Sequence, residues 1–309
     1  MNIIEVKDLK KHFVINKRDS GMKGIFKSII HPERIIKKAV DGINFNVSKG
    51  EIIGFIGPNG AGKSTTIKMM TGILVPTEGT VTVNGIIPYK YRKENAKRIG
   101  VVFGQRTQLW WNLPVRESFD LIRTIYKIPT EIYRKNISLF EEVLEMNELI
   151  DIPVRQLSLG QRMRVEIAAS LLHNPDIIYL DEPTIGLDVV VKENIRNFIS
   201  KINKETGVTI ILTTHDMSDI EKLCDRIIII DKGLIIYDGN IANIKNMFGK
   251  DRILIVDFEE EPENLRVEAG KVIKTEGTRK HILFNRDDIS AIDLISDISK
   301  KFKIKDFAL

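Results

Sequence analysis

Short apolar runs and helical periodicities alternate along most of the chain. Glu51 to Ile56 reads as a strand, Ser64 to Thr71 as a helix that stops at Gly72, and Val81 to Val83 as a strand entering a turn at Asn84-Gly85. From Pro114 to about Ile150 the period lengthens. Phe119, Ile122, Ile125 and Tyr126, then Ile137, Phe140, Val143, Leu144 and Met146, fall at helical spacing and predict an inserted helical lobe within about 112–172. Strand signals return at Ile177 to Leu180, Val208 to Leu212 and Arg226 to Ile230, with helices between them. This alternation predicts an α/β fold with a largely parallel sheet over residues 1–248. After Phe248-Gly249 the pattern shifts: Arg252 to Phe258, Lys271 to Thr275 and His281 to Phe284 read as strands and Asp288 to Lys301 as an amphipathic helix. Residues 249–309 therefore form a small α+β appendage, near the size at which a core is marginal.

Composition narrows the class. The 309 residues are 43% hydrophobic and 29% charged, an ordinary globular balance, and the longest apolar runs fall far short of the ~18 residues that cross a bilayer. The first residues, Met-Asn-Ile-Ile-Glu-Val-Lys, carry no signal-peptide pattern, and the single Cys224 forbids an internal disulfide, so a reducing, cytoplasmic setting is expected. The net charge of +5 is concentrated. Lys17, Arg18, Lys23, Lys27, Arg34, Lys37 and Lys38 face only Asp19 and Glu33, which accounts for the whole excess. So local a patch marks one contact surface, where a nucleic-acid binder would spread a wider positive face, and no nucleic-acid partner is expected.

Two motifs carry chemistry. Gly57-Pro58-Asn59-Gly60-Ala61-Gly62-Lys63-Ser64 fits G-x-x-x-x-G-K-[ST] between a predicted strand and a predicted helix. Glycines let the backbone curl its amides inward onto phosphates, and the helix start adds its positive dipole end. Lys63 supplies charge to the β and γ phosphates, Ser64 a hydroxyl ligand for Mg2+, and Thr65 a second hydroxyl. Farther on, Ile177-Ile178-Tyr179-Leu180 delivers Asp181 and Glu182 to the carboxyl edge of the sheet. Neighbouring strand residues face opposite ways, so the pair divides its work: Asp181 for the Mg2+ shell, Glu182 to polarise the attacking water.

With these residues in place the chain resembles the nucleotide-binding subunit of an ABC (ATP-binding cassette) transporter. Leu157-Ser158-Leu159-Gly160-Gln161 is similar to the family signature LSGGQ, with Leu159 where glycine is usual. Gln105 fits the glutamine loop, Gly186-Leu187-Asp188 the D-loop, His215 the switch histidine, and Phe13 the aromatic that stacks on adenine. The resemblance covers residues 1 to about 245 and implies a P-loop NTPase core of ABC type that hydrolyses ATP with Mg2+. It implies catalytic roles for Glu182, His215, Gln105 and Asp188, with Gln105 beside Ser64 and Asp181 at the metal. It further implies that Ser158, Gly160 and Gln161 close on the γ-phosphate held by a second protomer. One phosphate loop and one signature per chain then require a dimer, expected to be of identical chains.

Three features distinguish this member. The stretch from Phe13 to Gly57 is long and holds a basic insertion over about 16–38. Within it Ile25, Phe26, Ile29 and Ile30 share one helical face flanked by lysines, which suits an anionic inner membrane surface or a permease, with a solvated loop making a small core contact as the alternative. Trp110 and Trp111 follow Gln105 and suit a permease contact, since exposed tryptophan is an interface anchor. The Gln105–Pro114 stretch, with Leu159, Gly186-Leu187-Asp188 and the small appendage, looks most like the ATPase subunits of ABC-2 type exporters, peripheral on the cytoplasmic side of the membrane and bound to a separate permease. The basic insertion keeps the polysaccharide exporters open. A polysaccharide or glycolipid exporter ATPase and a soluble non-transport ABC ATPase are the alternatives.

Overall fold

The computed structural model describes residues 1–16, 34–104, 107–248, 251–262, 265, 267, 269–285 and 288–308. The predicted amphipathic helix at Gly24–Ile30 and the residue Gln105 lie outside the described residues. By its contacts the chain divides into two units, Met1–Gly239 and Asn240–Leu309.

The first unit opens on two long strands, β1 (Asn2–Asn16) and β2 (Arg34–Ser48), followed by β3 (Ile52–Ile56), α1 (Lys63–Met70) and β4 (Glu78–Val83). Next come α2 (Arg92–Ala96), β5 (Ile99–Phe103), and the lobe helices α3 (Val115–Tyr126) and α4 (Thr130–Val143). Helix α5 (Leu159–Leu171) leads into β6 (Ile177–Asp181), α6 (Val189–Thr206), β7 (Thr209–Thr213), α7 (Met217–Leu223), β8 (Arg226–Asp231) and β9 (Leu234–Asn240).

Six strands form the main sheet in the order β5-β6-β7-β3-β8-β9, and the first five run parallel to one another. Parallel strands covered on both faces are uniformly apolar, and β7 is buried along its whole length while β6 is buried until Asp181. Because β6, β7 and β3 are adjacent and parallel, the loops leaving their carboxyl ends emerge side by side. Those loops carry Glu182, His215 and the Gly57–Ser64 turn.

A second, antiparallel sheet in the order β2-β1-β4 lies in the same core, where Ile4, Val6, Leu9, Val40, Ile43, Val47, Val81 and Val83 are buried and Phe45 meets Phe55 of β3 at 5.6 Å between ring centroids. The predicted elements do not include β1 or β2. Their pairing shifts register at Asn2/Ile4, Val6/Leu9, Leu9/Lys10 and Lys11/His12, and each bulge breaks the two-residue alternation that identifies a strand. Arg34, Lys37 and Lys38 of the basic insertion belong to β2, opposite Asn16, Phe13 and His12.

The second unit holds α8 (Ile241–Phe248), β10 (Asp251–Phe258), β11 (Gly270–Glu276), β12 (Arg279–Asn285), α9 (Ala291–Ser299) and β13 (Ile304–Ala308). Its antiparallel sheet runs β11-β12-β10-β13, and Leu294 and Ile298 of α9 share a core with Leu254, Val256, Phe258, Ile282 and Phe284. Ser290 caps α9 by accepting from the Asp293 amide. The contact boundary at Gly239–Asn240 precedes the compositional change at Phe248-Gly249, and α8 is grouped with the second unit.

Candidate functional site

The turn Gly57-Pro58-Asn59-Gly60-Ala61-Gly62 joins β3 to α1 and leaves the first turn of α1 without a side-chain cap. By contrast Ser158 caps α5, Asp188 caps α6 and Asp216 caps α7. The first amides of a helix have no partner inside it, so those of Lys63, Ser64 and Thr65 are left for an anion. Gly62 makes this possible. Its φ of 116° is open to glycine, and a Cβ there would sit 2.5 Å from the carbonyl oxygen of Ala39. The Lys63 ammonium is buried and donates to the carbonyls of Gly57 at 2.6 Å and Pro58 at 3.2 Å, which holds its charge inside the turn.

Two hard oxygens meet beside it. Ser64 Oγ donates to Asp181 Oδ2 at 3.2 Å, and the hydroxyl of Thr213 donates to Asp181 Oδ1. Thr213 also accepts from the Glu182 amide at 3.1 Å. A hydroxyl and a carboxylate from adjoining strand ends suit Mg2+, which takes one or two protein oxygens and fills its shell with phosphate and water.

Asp181 and Glu182 do diverge, but by a route other than the pleat. Strand β6 ends at Asp181, and Glu182 adopts a left-handed φ of 55°. Such a conformation is costly for a non-glycine residue and persists where the surroundings over-determine it. It turns the Glu182 carboxylate toward His215, whose Nδ1 lies 3.4 Å from Oε1. The two residues line a cleft of about 350 Å³ with Thr184, Gly186, Lys192 and Met217.

At the start of α5 Ser158 and Gln161 are engaged with each other. The Gln161 amide donates to Ser158 Oγ at 3.2 Å, and the Ser158 amide donates to Gln161 Oε1 at 2.8 Å, a reciprocal capping box. Gly160 is fixed by packing: a Cβ there would lie 2.9 Å from Val191 Cγ1 on α6. Leu159 is exposed and its Cδ2 approaches Gly186, where a Cβ would meet it at 3.1 Å. Asp188 accepts from the Val191 amide at 2.9 Å, so the helix starts of α5 and α6 share Val191 as a neighbour. Phe13 stands partly exposed on β1 with the Lys11 ammonium 5.3 Å from its ring centroid.

Residues 40–185 match the family described as ABC transporter. The ABC transporter ATP-binding protein NatA of Bacillus subtilis is 34% identical over 68% of this chain and 85% of its own length. The chain belongs to the ABC transporter ATP-binding proteins. The linearmycin resistance ATP-binding protein LnrL of Bacillus subtilis is 33% identical over 82% of this chain and 81% of its own. A dimeric ATP-binding cassette bound to ADP and Pi superposes with a TM-score of 0.63 at 29% identity, covering 77% of this chain and 98% of that one. The fold is the P-loop ATPase cassette and the chain is an ATPase.

In this ABC cassette Trp111 lies beside the helix that Ser158 begins, while the Trp110 amide donates to Ser118 Oγ of α3 at 3.3 Å. Leu109 is buried, whereas Trp110 is 38% and Trp111 49% exposed, and the Arg162 guanidinium lies 5.9 Å from the Trp111 ring. The Trp111 carbonyl accepts from the Arg155 amide at 3.0 Å. Buried Glu166 of α5 anchors the segment. Its carboxylate accepts from the Thr107 hydroxyl and from the Gln108 amide at 3.3 Å, and its carbonyl accepts from Gln108 Nε2 at 3.0 Å. Burial pushes its carboxyl pKa up. Replacing Glu166 with alanine strands the Gln108 amide and should cost about 1–3 kcal/mol, read as a fall in the urea midpoint at constant slope. Sequence reasoning missed Glu166, Thr213 and Thr184. Each acts on a partner far away in sequence, so no local pattern marks it.

Proposed function

We propose that this chain is the ATP-hydrolysing subunit of an ABC-2 type exporter, working as a pair of copies beneath a separate permease on the cytoplasmic side of the membrane. The observation that carries the reading is the convergence of Lys63, Ser64, Asp181, Glu182 and His215 at the ends of three adjacent parallel strands. In this reading the Gly57–Ser64 turn and the Lys63 ammonium hold the β and γ phosphates, and Phe13 stacks on adenine. Ser64 and Asp181 hold Mg2+, with Gln105 reaching the same ion. That ion shields phosphate charge in the reaction.

Glu182 accepts a proton from the attacking water, and His215 steadies the Glu182 carboxylate and contacts the γ-phosphate. Ser158, with the amides of Gly160 and Gln161, meets the phosphate of the other copy, and Asp188 lines that interface. Since Ser158 Oγ already accepts from Gln161, its hydroxyl proton is free to donate outward. Ser158→Arg should therefore leave nucleotide binding to one copy within a factor of three of wild type while hydrolysis falls by roughly 100-fold; equilibrium binding and phosphate release separate the two. A fully active variant would contradict the shared site.

Export is supported by the similarity to LnrL, a linearmycin resistance ATP-binding protein. No helix among the described residues is long and apolar enough to cross a membrane. Trp110 and Trp111 supply an exposed aromatic face for the permease contact. Arg34, Lys37 and Lys38, with exposed Ile35 and Ile36, extend a basic apolar edge suited to an anionic membrane surface. Detergent extraction of the tagged chain should bring a polytopic membrane subunit with it, and Trp110→Ala/Trp111→Ala should release that subunit. Recovery of the chain on ribosomes with no membrane partner would favour the non-transport alternative.

A further inference from the structure

A buried carboxylate behind the cleft joins elements that the site needs in fixed relation. Asp219, on α7, has no exposed surface. Its Oδ2 accepts from the hydroxyl of Thr184, two residues past Glu182, and from the hydroxyl of Thr214 at 2.9 Å, the residue before His215. Its Oδ1 accepts from Arg196 Nε at 2.6 Å, on the helix that Asp188 caps. Thr184, Thr214 and Arg196 are all buried. One side chain thus ties the Glu182 loop, the His215 loop and α6 to a common point.

We propose that Asp219 is a positioning residue for ATP hydrolysis, clamping the loops of Glu182 and His215 so that the two side chains keep their separation through turnover. The inference rests on the reading of Glu182 as the group that acts on water. Three observations require such a clamp. Glu182 sits at a left-handed φ of 55°, a conformation that the flanking structure must enforce. On its upstream side the enforcement comes from Thr213, which accepts from the Glu182 amide; on the downstream side it comes from Thr184 and Asp219. His215 is 65% exposed at its side chain and meets Glu182 at 3.4 Å, so its place is set by the backbone around Thr214 more than by packing of the ring. Low dielectric around Asp219 strengthens each of its hydrogen bonds, and the Arg196 charge compensates the carboxylate.

A clamp of this kind acts on turnover and leaves nucleotide affinity alone, because Lys63 and the Gly57–Ser64 turn lie on another strand end. Displacement of a reacting group by about 1 Å can cost roughly 100-fold in rate. Asp219→Asn would leave Arg196 beside a neutral amide and upset the fold, so the test uses the hydroxyls. Thr184→Val keeps the side-chain volume and deletes the donor to Asp219; Thr214→Val deletes the donor on the His215 side together with the acceptor of the Asp216 amide, so Thr184→Val is the cleaner arm; Thr184→Ser returns the donor. The purified full chain is assayed for kcat with ATP and Mg2+, for equilibrium binding of ATP, and for thermal midpoint, alongside Glu182→Gln.

The proposal expects Thr184→Val and Thr214→Val each to lower kcat by about 10- to 100-fold with ATP affinity within about threefold of wild type, and Thr184→Ser to recover most of the lost rate. Wild-type kcat in both valine variants, with Glu182→Gln inactive, would overturn the clamp and leave the Glu182 reading standing. A proportional loss of binding and turnover would overturn it too, by showing general damage. Full turnover in Glu182→Gln would instead remove the reading on which the clamp depends.

Discussion

Glu182→Gln should bind ATP as tightly as the parent chain and turn it over roughly 100 to 1000 times more slowly. The amide keeps the shape of the side chain and its neighbour His215, yet has no oxygen basic enough to take a proton from water. Loss of a single group that acts only in the transition state is worth a factor of this size. The left-handed backbone at Glu182 is carried equally by glutamine, so the variant should melt within a few degrees of wild type. Phosphate release measured at saturating ATP, beside a binding isotherm for the same sample, separates the chemical effect from affinity.

Lys63→Ala should act earlier in the cycle. The ammonium is buried and held by the Gly57 and Pro58 carbonyls, so its charge is placed inside the turn before nucleotide arrives. A hydrogen bond to a charged group contributes about 1.5–3 kcal/mol, which corresponds to roughly 10- to 150-fold in ATP affinity. Turnover at subsaturating ATP should fall at least as far. The two variants thus divide cleanly: one loses rate without affinity, the other loses affinity first. If Lys63→Ala retained parental affinity, the turn would not be the phosphate cradle.

Most of the site was legible in the sequence because its chemistry sits where the backbone changes element. Gly57–Ser64 lies between β3 and α1, Asp181 and Glu182 at the end of β6, His215 just after β7, and Ser158 at the start of α5. Residue type and spacing are constrained most tightly at such junctions. The supporting groups were not legible. Thr213 acts on Asp181 across 32 positions, Thr184 on Asp219 across 35, and Thr107 on Glu166 across 59, so no local spacing reports them. Asp219 reads in sequence as an ordinary acidic residue in the first turn of α7, and only the fold brings Arg196 against it.

The fold was read with similar unevenness. The buried parallel strands announce themselves as apolar runs, while β1 and β2 conceal theirs through bulges. The sequence argument divided Asp181 from Glu182 by strand alternation, whereas Glu182 lies beyond the strand and turns away by its backbone. Gly160 shows the converse. Its place in the signature suggests a donor role, and the structure adds a packing reason, since Val191 leaves no space for a side chain.

The central claim is that two copies of this cassette close around ATP. It is tested most directly by the solution mass of Glu182→Gln, measured by light scattering with ATP and Mg2+ and again with ADP and Mg2+. The account predicts the mass of two chains with ATP and of one chain with ADP; a single-chain mass under both conditions, in a sample that demonstrably binds ATP, would contradict it.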